Sequence, residues 1–339
     1  MTDKRVRSQD VAERAGVSRS VVSAVLNGTK GIRVSEEKRQ AVLRAISELN
    51  YHVDVQARAM KTGRSMCIAA LGNMNEPMFL QVLEGMQLAC QRHSYHILLV
   101  GHTGEEARRE LLPLYLGKKI DGIVTMDHVS YGDPEWAEQV RKLGIPYVSV
   151  EGYAESPSVS SVQADYARSI DDALDYMTRG SRPAPLYVQT LADPTGDNWA
   201  ERARRDSYVA WCRARGEEPR IETFFGDTVG SFRGLIEQTY VPGKAASFLL
   251  NWSDSAPQFY RAAWELRLRI GEAIRVMAAD HTHRSSAHMV PSLTCMEIPY
   301  ARMGEAAVER VLEQVEHGAD TVAGNRDKFH AVFLQGDSA

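Results

Sequence analysis

From residue 66 onward the chain alternates two patterns. Short apolar runs occur at 66–72 (MCIAALG), 95–101, 121–126, 146–152, 185–190, 246–251, 274–280, 293–298 and 329–334. Between them lie stretches whose apolar positions recur at helical spacing: 79–93, 105–117, 134–143, 166–179, 200–216, 231–239, 257–267 and 300–317. Runs of this length, bounded by turn residues, predict strands buried on both faces. Repeated βα units of that kind predict parallel sheets covered by helices. About 270 residues of alternation is more than one such unit holds, so the pattern predicts two doubly wound subdomains with a cleft between them.

The first 61 residues carry a different pattern, with three short helical segments and no strand. Ser8 is placed to cap a helix over 9–15, where Val11, Ala12 and Ala15 form an apolar stripe. Gly16 ends it, because glycine accepts the left-handed conformation of a tight cap. Ser18 is placed to cap a second helix reaching about Leu26, and a third starts at Ser35 and reaches about Leu49. Helix, glycine turn and helix is the helix-turn-helix pattern. On a helical wheel Val22, Val25 and Leu26 fall on one side of the second helix, and Arg19, Ser20, Ser23, Ala24 and Asn27 on the other. A small polar face with one arginine near the helix start suits entry into a DNA major groove. The alternative is a small three-helix bundle whose polar face is only solvated.

Charge sharpens the division. Residues 1–61 hold 12 Lys and Arg against 7 Asp and Glu, a net +5, while the whole chain of 339 residues is at −4. A basic head on an acidic body implies that only the head meets a polyanion. Overall composition, 44% hydrophobic and 25% charged, excludes long disorder and fibrous repeats. No apolar run approaches the length of a membrane span, and no apolar stretch follows the N-terminal charges. Cys67, Cys90, Cys212 and Cys295 lie far apart and read as isolated thiols of a cytoplasmic protein. Enzyme signatures such as G-x-S-x-G, the Walker phosphate loop and G-x-G-x-x-G after a strand are missing. The group His281, His283 and His288 sits in a polar stretch after an apolar run and reads as a solvated loop, so no metal or cofactor is expected.

The segments DVAERAGVSRSVVSAVLNG, VSEEKRQAVLRAISELNY and ARAMKTGRS closely resemble the LacI/GalR family of bacterial transcriptional regulators, and the resemblance extends over nearly the whole chain. It implies a helix-turn-helix head over residues 1–52, a hinge helix and linker over 53–64, and an effector-binding and dimerisation body over 65–339. The implied body is α/β, two doubly wound parallel-sheet subdomains like those of type I periplasmic binding proteins. One subdomain is expected from about 65–160 and 294–321, the other from about 161–293 and 322–339. The implied function is a homodimeric repressor of a palindromic operator, controlled by a small-molecule effector and not an enzyme. By the same resemblance Arg19 and Ser20 read bases, and Ser18, Ser23 and Asn27 contact phosphates. Ala24 stands where the family usually has an arginine that reads guanine. Ala57 lies in the hinge segment, and Met60 takes the place of a leucine that wedges into the minor groove. Val53 replaces a proline before the hinge.

Ligands of doubly wound folds sit at the carboxyl ends of strands. That rule nominates Asn75, Met78 and Phe79, then Met126 and Asp127, Glu151, Trp252 and Ser253, and Asp280. Arg204 and Asp280 match effector-binding positions of the family, although Arg204 could instead pair locally with Glu201 or Asp206, and Phe79 could be core. Trp252-Ser253 replaces the family's usual Asn-Asp, which implies an altered site. The expected effector is polar, neutral or mildly anionic, with a carbohydrate favoured on the resemblance.

Overall fold

The computed structural model describes residues 6–27, 34–51, 63–100, 105–127, 132–191, 198–226, 228–319 and 324–339. They fall into two compact units that divide between Ser65 and Met66. In the head, α1 (Ser8–Ala15), α2 (Arg19–Asn27) and α3 (Glu36–Glu48) pack around Val11, Ala12, Val22, Val42 and Ala45, with Val25 and Leu26 partly buried against them. Gly16 takes φ 65°, the left-handed geometry required of it. The Ser18 hydroxyl accepts the Val21 N–H at 3.4 Å and Ser35 accepts that of Lys38 at 3.4 Å, so both serines cap as expected.

Two expectations for the head need correction. Ser8 is the first helical residue rather than the cap, and the Asp10 carboxylate instead reaches back to accept the Arg7 N–H at 2.7 Å. Ala24 is 6% exposed and belongs to the buried side of α2, not its open arc. The reason is geometric: α2 packs against both α1 and α3, so its buried arc is wider than an apolar stripe suggests.

The body contains two six-stranded sheets. The first joins β1 (Cys67–Leu71), β2 (His96–Val100), β3 (Gly122–Met126), β4 (Tyr147–Val150), β5 (Ser160–Ala164) and β11 (Arg326–Phe329), in the order β11-β5-β4-β3-β1-β2. All its pairings are parallel. The second joins β6 (Leu186–Leu191), β7 (Ile221–Phe225), β8 (Ala246–Leu250), β9 (Ile274–Ala278), β10 (Thr294–Glu297) and β12 (Val332–Leu334), in the order β12-β10-β9-β8-β6-β7. Only β12 runs antiparallel there. Helices α4 (Pro77–Arg92), α5 (Glu105–Leu116), α6 (Pro134–Lys142), α7 (Tyr166–Met177), α8 (Trp199–Ala214), α9 (Val229–Thr239), α10 (Ala256–Glu265) and α11 (Tyr300–His317) follow the predicted spans closely. This is the doubly wound α/β body that the alternation predicts.

The division into lobes differs from the expected one. Strands β5 and β11 belong to the first sheet and β10 to the second, so 161–164 and 326–329 sit in the first lobe and 294–297 in the second. The chain crosses at Asp165, at Pro299, and at His330 and Ala331, after a strand has been completed rather than before it starts. The run 329–334 accordingly holds the last residue of β11 and all of β12, one strand in each sheet. In the first lobe α4 and α11 cross at backbone contact. A Cβ on Gly85 would collide with the Ala301 carbonyl, and one on Gly304 with that of Val82.

Candidate effector cleft and DNA-facing helix

The strand ends of the two lobes face each other across a cavity of about 430 Å³, within the range of small-molecule sites. The first lobe contributes Glu76, which precedes α4, Pro77 and Met78 at the start of that helix, Met126 at the end of β3 and Asp127 just after it. The second lobe contributes Thr190 and Leu191 from β6, Trp252 after β8, Asp280 and Thr282 after β9, and Glu201 from α8. Met78, Met126, Asp127, Trp252 and Asp280, all nominated from strand ends, border this space. A second cavity of about 480 Å³, between the start of α6, the loop around Tyr153 to Ser158 and the start of α8, is lined by none of the nominated residues.

Several of these side chains are already committed within the protein. Asp280 is fully buried; its carboxylate accepts the Ser253 N–H, the Thr282 hydroxyl and, at 2.9 Å, the Thr282 N–H. Asp127 takes the Arg108 guanidinium at 2.7 Å together with the hydroxyls of Thr125 and Ser149. Asp280 braces the loops beyond β8 and β9, Asp127 ties the end of β3 to α5 and β4, and by doing so they shape the wall.

Three nominated residues lie behind the wall. Phe79 is 1% exposed and packs over Gly72, where a Cβ would meet its ring, so it is core. Arg204 is completely buried, with its guanidinium between the Tyr166 ring at 4.4 Å and the Trp252 ring at 4.0 Å. It donates one hydrogen bond, to the Asn251 carbonyl at 3.2 Å, and its Nε and second Nη have no hydrogen-bond partner among the described residues. The local pairing with Glu201 or Asp206 does not occur. Arg205 takes Asp206, while Glu201 accepts the Trp252 indole N–H at 3.3 Å and the Asn198 N–H at 2.8 Å. Trp252 is thereby fixed over Arg204 by stacking on one side and a hydrogen bond at its edge.

Glu151 is the third. It sits at the end of β4 with φ 70°, fully buried, accepting the Ala164 N–H at 3.0 Å and the Tyr166 hydroxyl at 2.9 Å. Burial pushes its carboxyl up to about 7, against the pull of those two hydrogen bonds and of the Arg204 charge. Glu151, Tyr166, Arg204 and Trp252 thus form one chain of contacts from the first sheet to the second. Thr190, Thr282 and Glu201 were not foreseen, although Thr190 ends a predicted strand and the rule used for the others reaches it.

On the head, Ser18, Arg19 and Ser20 are exposed together at the start of α2, and Ser23 is half-buried. Asn27 ends the helix, with its side chain outside the described residues, as are Ala57 and Met60 entirely. Among the described residues no group of three or more His, Cys, Asp or Glu side chains could hold a metal. His281 is instead bonded to the Ser286 hydroxyl at 2.7 Å. No helix among them is long and apolar enough to cross a membrane.

Comparison with known proteins gives matches to both parts. Residues 9–54 match the family of bacterial regulatory proteins of the lacI type, and residues 179–327 match the periplasmic binding protein-like domain. The chain is 28% identical over 325 residues to the HTH-type transcriptional repressor PurR of Serratia proteamaculans, covering 91% of this chain and 89% of that protein. It is 26% identical over 325 residues to PurR of Edwardsiella ictaluri, with the same coverage. Among solved structures, a lac repressor dimer bound to operator and the anti-inducer ONPF superposes with TM-score 0.72 at 20% identity, over 99% of both chains. A transcriptional regulator CelR–cellobiose complex superposes with TM-score 0.64 at 20% identity, over 99% of this chain and 100% of that one. A head of the lacI type is thus joined in this chain to a periplasmic binding protein-like body, the build of a transcriptional repressor with a helix-turn-helix head and an effector-binding body, and the chain is similar along most of its length to such repressors.

Proposed function

We propose that the protein binds a palindromic operator as a homodimer and is controlled by a small molecule held between the lobes. The observation that carries this reading is the exposed Ser18-Arg19-Ser20 start of α2 on a head of net charge +5. There Arg19 and Ser20 are the base readers, and Ser18, Ser23 and Asn27 face phosphates. Ala24, small and buried, adds no base contact of its own. Ala57 and Met60 supply the hinge and the minor-groove wedge. Two heads are needed because half-sites lie about one helical turn apart.

A second copy has apolar surface to cover. Leu80 and Leu88 on α4 and Leu98 and Leu99 on the edge strand β2 are exposed, as are Trp264 (77%) and Val290 (90%) on the second lobe. Met78, Trp252 and Asp280 border the effector, while Arg204 and Glu151 position Trp252 and the junction from behind. A carbohydrate is the leading class on family grounds. Ligand closure of the lobes shifts the heads between DNA-competent and DNA-incompetent arrangements. The test is operator binding by fluorescence anisotropy across a salt series, with sedimentation in parallel. A dimer with a steep salt slope is expected, and Leu99→Asp should yield monomers of much weaker operator affinity. A salt-independent or monomeric binder refutes the reading.

A further inference from the structure

The cleft is unevenly charged. Glu76, Asp127, Glu201, Asp254 and Asp280 all border it, and the only nitrogen base among its described lining residues is the imidazole of His283. The two nearby arginines are out of reach of a ligand. Arg108 is spent on Asp127 at 2.7 Å, and Arg204 is fully buried beneath the Trp252 ring. The carboxylates of Glu201 and Asp280 have no charged partner among the described residues. The partners of Glu201 are an indole and a backbone N–H, and those of Asp280 are backbone N–H groups and a hydroxyl. Glu76 is exposed at the start of α4, and its carboxylate has no charged partner among the described residues. Pro77, Met78, Met126 and Leu191 supply low-dielectric walls that focus this field.

We infer that the cleft takes a positively charged ligand, an amine on a small polar frame, and turns away phosphates and carboxylates. This rests on the proposal that the effector occupies this cleft, and it departs from the neutral or mildly anionic ligand expected from sequence. Trp252 replaces hydrogen-bonding residues and closes off the one arginine that would have favoured an anion.

Quenching of Trp252 fluorescence tests the charge without knowing the ligand. The signal is the difference between the full chain and its Trp252→Phe variant. Cesium, iodide and acrylamide are each normalised to a free tryptophan amide. At low ionic strength cesium should quench at least threefold more effectively than iodide, with the gap narrowing in Glu76→Gln and in added salt. Iodide quenching as well as cesium or better overturns the inference. A thermal-shift screen of the wild-type chain against glucosamine, glucose and glucose 6-phosphate, extended to wider sets of amines, polyols and acids, needs no variant. Stabilisation by amines at tenfold lower concentration supports the inference, and stabilisation confined to anions overturns it while upholding the cleft as the effector site. Silence in every class counts against the effector reading itself, and the quenching comparison still decides the charge.

Discussion

Replacing Glu151 by glutamine should remove a pH-dependent cost from the body. The carboxyl is fully buried and pushed up to about 7 from an ordinary value of 4.5. A carboxyl whose value is raised by folding binds more protons in the native state than in the unfolded one between those two limits. Its favourable contribution is therefore complete below about pH 4.5 and is lost as pH rises through about 7. At about 1.36 kcal/mol per pH unit, the gap corresponds to about 3 kcal/mol across that window. Glutamine keeps the shape, can turn its oxygen to the Ala164 N–H and its amide to the Tyr166 oxygen, and does not titrate. Urea unfolding of wild type and Glu151→Gln at half-unit steps from pH 4.5 to 8.5 measures the difference directly. The variant should gain on wild type by about 3 kcal/mol across the series, mostly between pH 5 and 7. A stability difference that does not vary with pH refutes the buried-carboxyl reasoning.

Other expectations follow from the same geometry. Arg19→Ala should cost about 1–3 kcal/mol in discrimination between operator and random DNA, read by competition anisotropy; equal weakening of both sequences would remove Arg19 from base reading. Ala57→Gly should weaken operator binding by about 1 kcal/mol per protomer if that segment becomes helical on DNA, with effector affinity unchanged by calorimetry. Gly304→Ala forces a methyl into the Val82 carbonyl and should destabilise the first lobe by about 3 kcal/mol. Gly234→Ala, inside α9 with open space around it, should be neutral or stabilising by up to about 1 kcal/mol in the same melting assay.

The helices and nine apolar runs were legible because periodicity reports what faces the core, and here most strands are buried on both sides. Beside β11, of which only Phe329 falls in an apolar run, two strands escaped for opposite reasons. All of Ser160–Ala164 is buried, yet Ser160, Ser161 and Gln163 are polar and satisfied internally, for example by Ser161 donating to the Gly152 carbonyl at 2.6 Å. Hydropathy cannot register a strand whose burial is secured by hydrogen bonds. Ile221–Phe225 is an edge strand, largely exposed, and lacks the apolar density of the others. At the site, strand ends located the cleft but not which way each side chain turns. Arg204 and Glu151 were placed in the right neighbourhood, and only the stacking of Trp252 shows that they stand behind the wall.

The three lobe crossings bear on how the body comes to be made. Residues 326–334 supply an edge strand to each sheet, β11 to the first and β12 to the second. Neither lobe is a contiguous stretch of chain, so neither can be finished while the ribosome still holds that last pair of strands. Up to that point both sheets present an unpaired edge, the surface on which partly made β proteins associate with one another. Chains interrupted just before residue 326 should therefore fail in both lobes at once, and conditions that slow synthesis there should raise aggregation more than a comparable pause within α8 or α9.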